Sequence, residues 1–429
     1  MPIIMGNSKI CAHQKILIYL IGTYIFSIGI LGDYFKYKEK VFNEISFLSD
    51  SFLYIFYFLK ILIVIYTLFY TVLYKKLLKI DFLIFFMISI YIISSAISYF
   101  IDGNVILFGK YFLVGSLNSS EVAGFEIKYF MITFLDYLVL AYFGLIIKNK
   151  EQMIKVISIA VLLTLPFNIL NALLQFRSFF GNWGEGAIFF LTEINGSIPM
   201  RLTGLFASTF MFAAYLSLIQ VLLLTQNIVN NKFKNILLIA ILLLHIMSLN
   251  RSGIIIFLLL MAVNLNWRSS FYRPHKLIIY MSILIGFFTI ILIYTQQYID
   301  LDFFSRLTQA VDTKENYSLA FRIEAPITNI ATLFSDNLVF TFFGLGNNQG
   351  LVSDNNLVVF FYKYGWINLL LYIVIVSKAF LSKINVNNIS FFMFWLMTNL
   401  LFSGAGQFVN FILILFISLQ LYNDRKTAS

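Results

Sequence analysis

Charge is scarce in this sequence. Asp, Glu, Lys and Arg make up 12% of its 429 residues while 60% are hydrophobic, where soluble domains carry roughly 25% charged and roughly 45–50% apolar residues. That balance excludes a water-soluble fold. There is one cysteine, Cys11, which excludes an internal disulfide and leaves no thiolate pair for a metal. The three histidines, His13, His245 and His275, are far apart in sequence, so no metal site is expected. The net charge is +10, but the basic residues are scattered among short segments instead of forming one stripe, so nucleic acid is not expected as a partner. No internal repeat or low-complexity tract marks a second unit, and residues 1–429 read as a single integral membrane domain.

What the chain has instead is long apolar runs, such as 16–31, 52–74, 82–100 and 277–294. About 20 helical residues cross a hydrocarbon core of about 30 Å. The runs lack the alternation of apolar and polar residues that membrane barrel strands need, so the fold class is all-α and polytopic. The first run is too long for a cleaved leader and is expected to remain as the first span. Spans are predicted near 14–32, 52–74, 81–101, 127–147, 153–175, 205–225, 236–249, 253–267, 277–296, 356–377, 388–402 and 408–422, about twelve in all. With the N-terminus inside, Lys75, Lys76, Lys79, Lys148, Lys150, Lys232, Lys234, Lys378 and Lys383 fall on the cytoplasmic side, as the positive-inside bias requires. Lys36, Lys38 and Lys40 depart from it.

Two regions break the simple pattern. A single straight helix over 235–267 would be ~50 Å long, too much for one crossing. Basic segments on both flanks want the same face, so the chain is expected to turn back at Asn250-Arg251-Ser252-Gly253 as a hairpin of two short helices, its tip at membrane depth. A second short hairpin is predicted with 403–407 at its tip. Between the ninth and tenth spans lies the longest outward segment, 297–355, longer than a connector needs.

The outward side gathers Arg201, Arg251, Arg306 and Arg322. Arginine offers a planar fork to phosphate and keeps its charge when partly desolvated, so several converging arginines suit a pyrophosphate. Helix anchoring at headgroups is the alternative role for any one of them. A charge at membrane depth in a tight hairpin normally faces a cavity or a partner, which sets Arg251 apart. Asp354, with Ser353, precedes a hydrophobic helix as a possible cap; its carboxylate at that boundary also suits a general base for a sugar hydroxyl. His245 falls in the first half of the arginine hairpin and is expected to be a packing residue. Trp183 and Tyr317 have rings suited to stacking on sugars or to interfacial anchoring.

The order of Arg201-x-x-Gly204-x-Phe206, Asn250-Arg251-Ser252-Gly253, an outward segment with Arg306 and Arg322, then Gly344-x-Gly346 and Asp354-Asn355 before a helix bearing Gly365, resembles the O-antigen polymerase and O-antigen ligase superfamily. The resemblance covers roughly 201–366. It implies a GT-C-type glycosyltransferase, independent of metal and cofactor, in the bacterial cytoplasmic (inner) membrane with its active site facing the periplasm. The implied substrates are undecaprenyl-pyrophosphate-linked oligosaccharide repeat units, and the implied protein partner is a chain-length regulator. The ligase branch has a histidine where this chain reads Asp354-Asn355, and 297–355 contains none. That favours polymerase action: transfer of a growing glycan to the non-reducing end of a lipid-linked repeat unit, with inversion. On this resemblance Arg201, Arg251, Arg306, Arg322 and Asn355 bind pyrophosphate and glycan, Arg251 also supporting catalysis, and Asp354 or Glu324 takes the acceptor proton. The ligase, which hands glycan to a lipid A core, and a flippase for the same repeat unit are the alternatives. Against the flippase, this chain shows no pseudo-repeated halves of the kind transporters often have.

Overall fold

The computed structural model describes residues 7–37, 46–100, 127–178, 204–206, 208–248, 250–267, 338–344, 356–402 and 406–422. Within them the regular elements are helical, with no strand: α1 (Asn7–Tyr37), α2 (Ser46–Leu73), α3 (Phe82–Phe100), α4 (Ile127–Ile146), α5 (Lys150–Ser178), α6 (Thr209–Thr225), α7 (Asn231–Met247), α8 (Arg251–Trp267), α9 (Leu338–Phe343), α10 (Asn356–Leu381), α11 (Val386–Leu401) and α12 (Gly406–Leu421). Three described segments, Tyr54–Leu73, Lys150–Leu173 and Lys363–Leu381, are long and apolar enough to cross a membrane, and seven shorter apolar helices accompany them. The span predicted at 277–296 lies outside the described residues.

The distribution of side chains is that of a protein dissolved in lipid. Large apolar groups face outward, among them Tyr19, Phe58, Ile65, Phe69, Phe82, Phe85, Leu163 and Leu170, while Lys60, Asn168, Asn171 and Asn264 are buried. In hydrocarbon the polar group is the one that must find a partner inside the bundle, and a helix satisfies its own backbone without water. Asn264 accordingly donates to Leu260 O at 2.9 Å on its own helix and to Ser390 Oγ at 2.9 Å on α11. Where helices cross closely, small residues allow it: a Cβ built at Gly144 on α4 would stand 2.0 Å from Ser418 O on α12, and Gly144 N donates to Ser418 Oγ at 2.8 Å.

One end of the bundle is stitched by lysines. Lys150 Nζ donates to Leu419 O at 2.8 Å, Lys76 Nζ to Leu145 O, and Lys378 pairs with Asp81. Each ammonium sits at the last turn of a helix or beside one, where carbonyls lack intrahelical donors and the helix dipole favours a cation. Asp81 caps α3 by accepting from Leu83 N at 3.0 Å, and its own N–H reaches Tyr422 Oη at 3.3 Å. The termini of α2 to α3, α4 to α5 and α10 to α11 meet at this end.

The arginine hairpin is present as two helices of 17 residues each, ~25 Å long at 1.5 Å per residue and so shorter than a full crossing. Arg251 is the first residue of α8, so Arg251, Ser252 and Gly253 belong to the helix and not to the turn before it. The helix expected at 356–377 runs to Leu381 and is interrupted at Gly365 (φ 75°, ψ 177°), a conformation that only glycine adopts readily. The reason is α9. A Cβ at Gly365 would lie 2.2 Å from Phe342 O, and one at Gly344 2.5 Å from Lys363 C, so the two glycines let the backbones of α9 and α10 touch. Ser94 on α3 donates to Lys363 O at 3.0 Å, next to the interruption.

Candidate functional site

The motif-bearing termini meet at the end opposite the lysines. Gly204 has φ +57° and starts a turn that two asparagines of α5 hold: Asn168 Oδ1 accepts from Leu205 N at 3.0 Å, and Asn171 Nδ2 donates to Gly204 O. Asn168 Nδ2 also donates to Thr164 O at 3.1 Å. Leu205 and Phe206 are buried, with the Phe206 ring 4.8 Å from that of Tyr215. Ser208 then caps α6 by accepting from Met211 N at 3.2 Å. Glycine is required at 204 both by the sign of φ and by the space, since a Cβ would come within 2.7 Å of Phe212.

The hairpin tip docks on this same terminus. Asn250 Nδ2 donates to Thr209 O at 3.2 Å, and Asn250 Oδ1 accepts from Gly253 N at 3.1 Å, so one side chain caps α8 and ties its start to that of α6. The second hairpin arrives alongside: the Phe402 ring is 6.2 Å from that of Phe210. Phe402 O accepts from Asn356 N at 3.2 Å, and Asn356 Nδ2 donates to Asn399 Oδ1 at 2.6 Å. Thus the chain following Arg201, the start of α8 at Arg251 and the residue following Asn355 belong to one connected cluster, although they are far apart in sequence.

Of the residues singled out above, Arg251 is described in its backbone. Arg201, Arg306, Arg322, Glu324, Asp354 and Asn355 lie outside the described residues, as do Ser353, Trp183 and Tyr317. His245 is fully buried in α7, consistent with packing, but neither ring nitrogen has a hydrogen-bond partner among the described residues.

A second polar group sits within the bundle and was not foreseen. Lys60 Nζ on α2 lies 2.6 Å from Asp136 Oδ1 on α4, with side-chain exposures of 5% and 19%. The ammonium also reaches Ile132 O at 3.4 Å and lies 5.6 Å from the centre of the Phe411 ring, whose edge meets Tyr24 at 4.8 Å. The signal was available: opposite charges near the middle of two apolar spans are costly unless paired.

No family model matches the chain, and no curated protein matches it.

Proposed function

We propose that this protein polymerises a surface polysaccharide such as O-antigen, transferring a growing glycan from undecaprenyl pyrophosphate to the non-reducing end of another lipid-linked repeat unit. The observation that carries the proposal is the convergence of the Gly204 turn, the Asn250 hairpin tip and the start of α10 at one end of a membrane-embedded bundle. Three sequence signatures with no reason to be neighbours in the chain become neighbours there, as a shared site requires.

The bundle has its lysine-stitched end opposite that cluster. Under the positive-inside bias the lysines face the cytoplasm, which puts the cluster toward the periplasm in the inner membrane of a bacterium. About twelve spans in a GT-C-type arrangement complete this reading, with 277–296 supplying the ninth. Arg251, Arg201, Arg306 and Arg322 neutralise the pyrophosphate as it leaves; charge stabilisation in a water-poor site is usually the largest single contribution an enzyme makes to such a step. Asn355 hydrogen-bonds glycan or phosphate. Asp354 or Glu324 accepts the proton of the attacking sugar hydroxyl, so that the new glycosidic bond forms as the bond to pyrophosphate breaks, with inversion.

Deletion of the gene in a host that makes lipopolysaccharide tests the assignment. A polymerase-less cell still makes, flips and ligates single units, so core plus one repeat without a ladder is expected. Bare core with long glycan held on undecaprenyl pyrophosphate would identify the ligase instead, and loss of every outward-facing repeat would identify the flippase. Complementation with Arg251→Lys should fail at normal protein level, because lysine keeps the charge but not the fork; a normal ladder would return Arg251 to an anchoring role.

A further inference from the structure

The imidazole of His245 is fully buried, and its two nitrogens have no hydrogen-bond partner among the described residues. Such atoms are rare in folded proteins and each costs about 1–3 kcal/mol. An apolar side chain would carry no such cost, so packing alone does not account for an imidazole here. The ring's position is specific. A Cβ built at Gly253 would stand 2.4 Å from His245 Nδ1 and 3.1 Å from Ala213 Cβ, so the first turn of α8 lies directly on the imidazole with α6 beside it. Phe257, one turn further along α8, has its ring centre 6.2 Å from that of the imidazole. Ser217, one turn beyond Ala213 on α6, is also fully buried, and its hydroxyl likewise has no partner among the described residues. The junction of α6, α7 and α8 therefore holds spare hydrogen-bonding capacity beneath the first turn that carries Arg251.

We propose that His245 is a positioning residue for the Arg251 hairpin, its imidazole hydrogen-bonding to the tip, directly or through a water shared with Ser217, when an anionic phosphate ligand is seated there. A neutral imidazole has one N–H donor and one nitrogen acceptor, so it can steady a guanidinium without adding a like charge. This inference rests on the arginine site proposed above.

The test uses the full-length protein in detergent, inorganic pyrophosphate as the probe, and two readouts: binding affinity and the melting temperature without ligand. Wild type should bind in a manner that Arg251→Ala abolishes. His245→Leu should weaken binding about tenfold, the loss of one net hydrogen bond, while melting at or above the wild-type temperature because two orphaned atoms are gone. His245→Asn or His245→Gln, whose amides overlap Nδ1 or Nε2 respectively, should restore affinity in at least one case. If wild type does not bind pyrophosphate, or binds regardless of Arg251, the arginine site itself is wrong. If binding depends on Arg251 but His245→Leu binds like wild type, the site stands and the role of His245 is refuted. A lowered melting temperature in His245→Leu, with the amide variants equally impaired, makes the ring a packing element and also overturns the proposal.

Discussion

Replacing Asp136 with leucine strands the ammonium of Lys60 near the middle of the bilayer. Asp136 is ten residues from the end of α4 and Lys60 thirteen from the end of α2, which sets them ~15 and ~20 Å from the lysine-rich end, within a hydrocarbon core of about 30 Å. At 2.6 Å separation the attraction is about 6 kcal/mol gross for an effective dielectric constant of about 20. Desolvation of two charges offsets most of that gain, so the net value of the pair is small while the penalty for breaking it is large. Loss of one partner should cost about 3–5 kcal/mol, whereas replacing both with apolar residues should be near neutral or stabilising. The burial of both side chains, 5% and 19% exposed, is what places the pair in this regime instead of the surface regime of about 0–1 kcal/mol. Unfolding of Asp136→Leu, Lys60→Met and the double variant in bicelles, by steric trapping or SDS titration, gives the cycle. Both single variants should be strongly destabilised and the double variant should recover. Single variants within about 0.5 kcal/mol of wild type, with no coupling, would refute the argument.

Gly365→Ala should be poorly tolerated, since it combines a strained φ/ψ, worth about 1–3 kcal/mol, with a Cβ 2.2 Å from Phe342 O; expression and thermal stability report it, and wild-type behaviour of the variant would mean that α9 does not rest on the helix interruption. The topology of the proposed function predicts that a cysteine at Ser305 or Ser318 reacts with an impermeant thiol reagent on spheroplasts and one at Ser270 does not, in a Cys11→Ser background. The reverse labelling pattern would invert the molecule and remove the cluster from the periplasm.

The sequence by itself determined that this is an all-helical membrane protein and where most helices run. Hydrophobicity adds up residue by residue along a span, and caps are local: Asn230, Ser208 and Asn385 accept from the third residue onward at 2.8–3.2 Å. The arginine hairpin was also legible, because the positive-inside bias asks both basic flanks of 235–267 to share a face and one straight helix there would be too long for a single crossing. Only the tertiary structure decided which helices are neighbours. Asn168 and Asn171 are two ordinary polar residues in an apolar helix until Gly204 and Leu205 fold back onto them, and Asn250 caps α8 locally but reaches α6 only in the packed bundle. The same holds for Lys60 and Asp136, whose charges were visible but whose pairing depends on α2 lying against α4, and for Gly365, whose unusual backbone is imposed by α9. Each of these contacts joins segments far apart in the chain, and its free energy exists only once the helices that carry it have already packed.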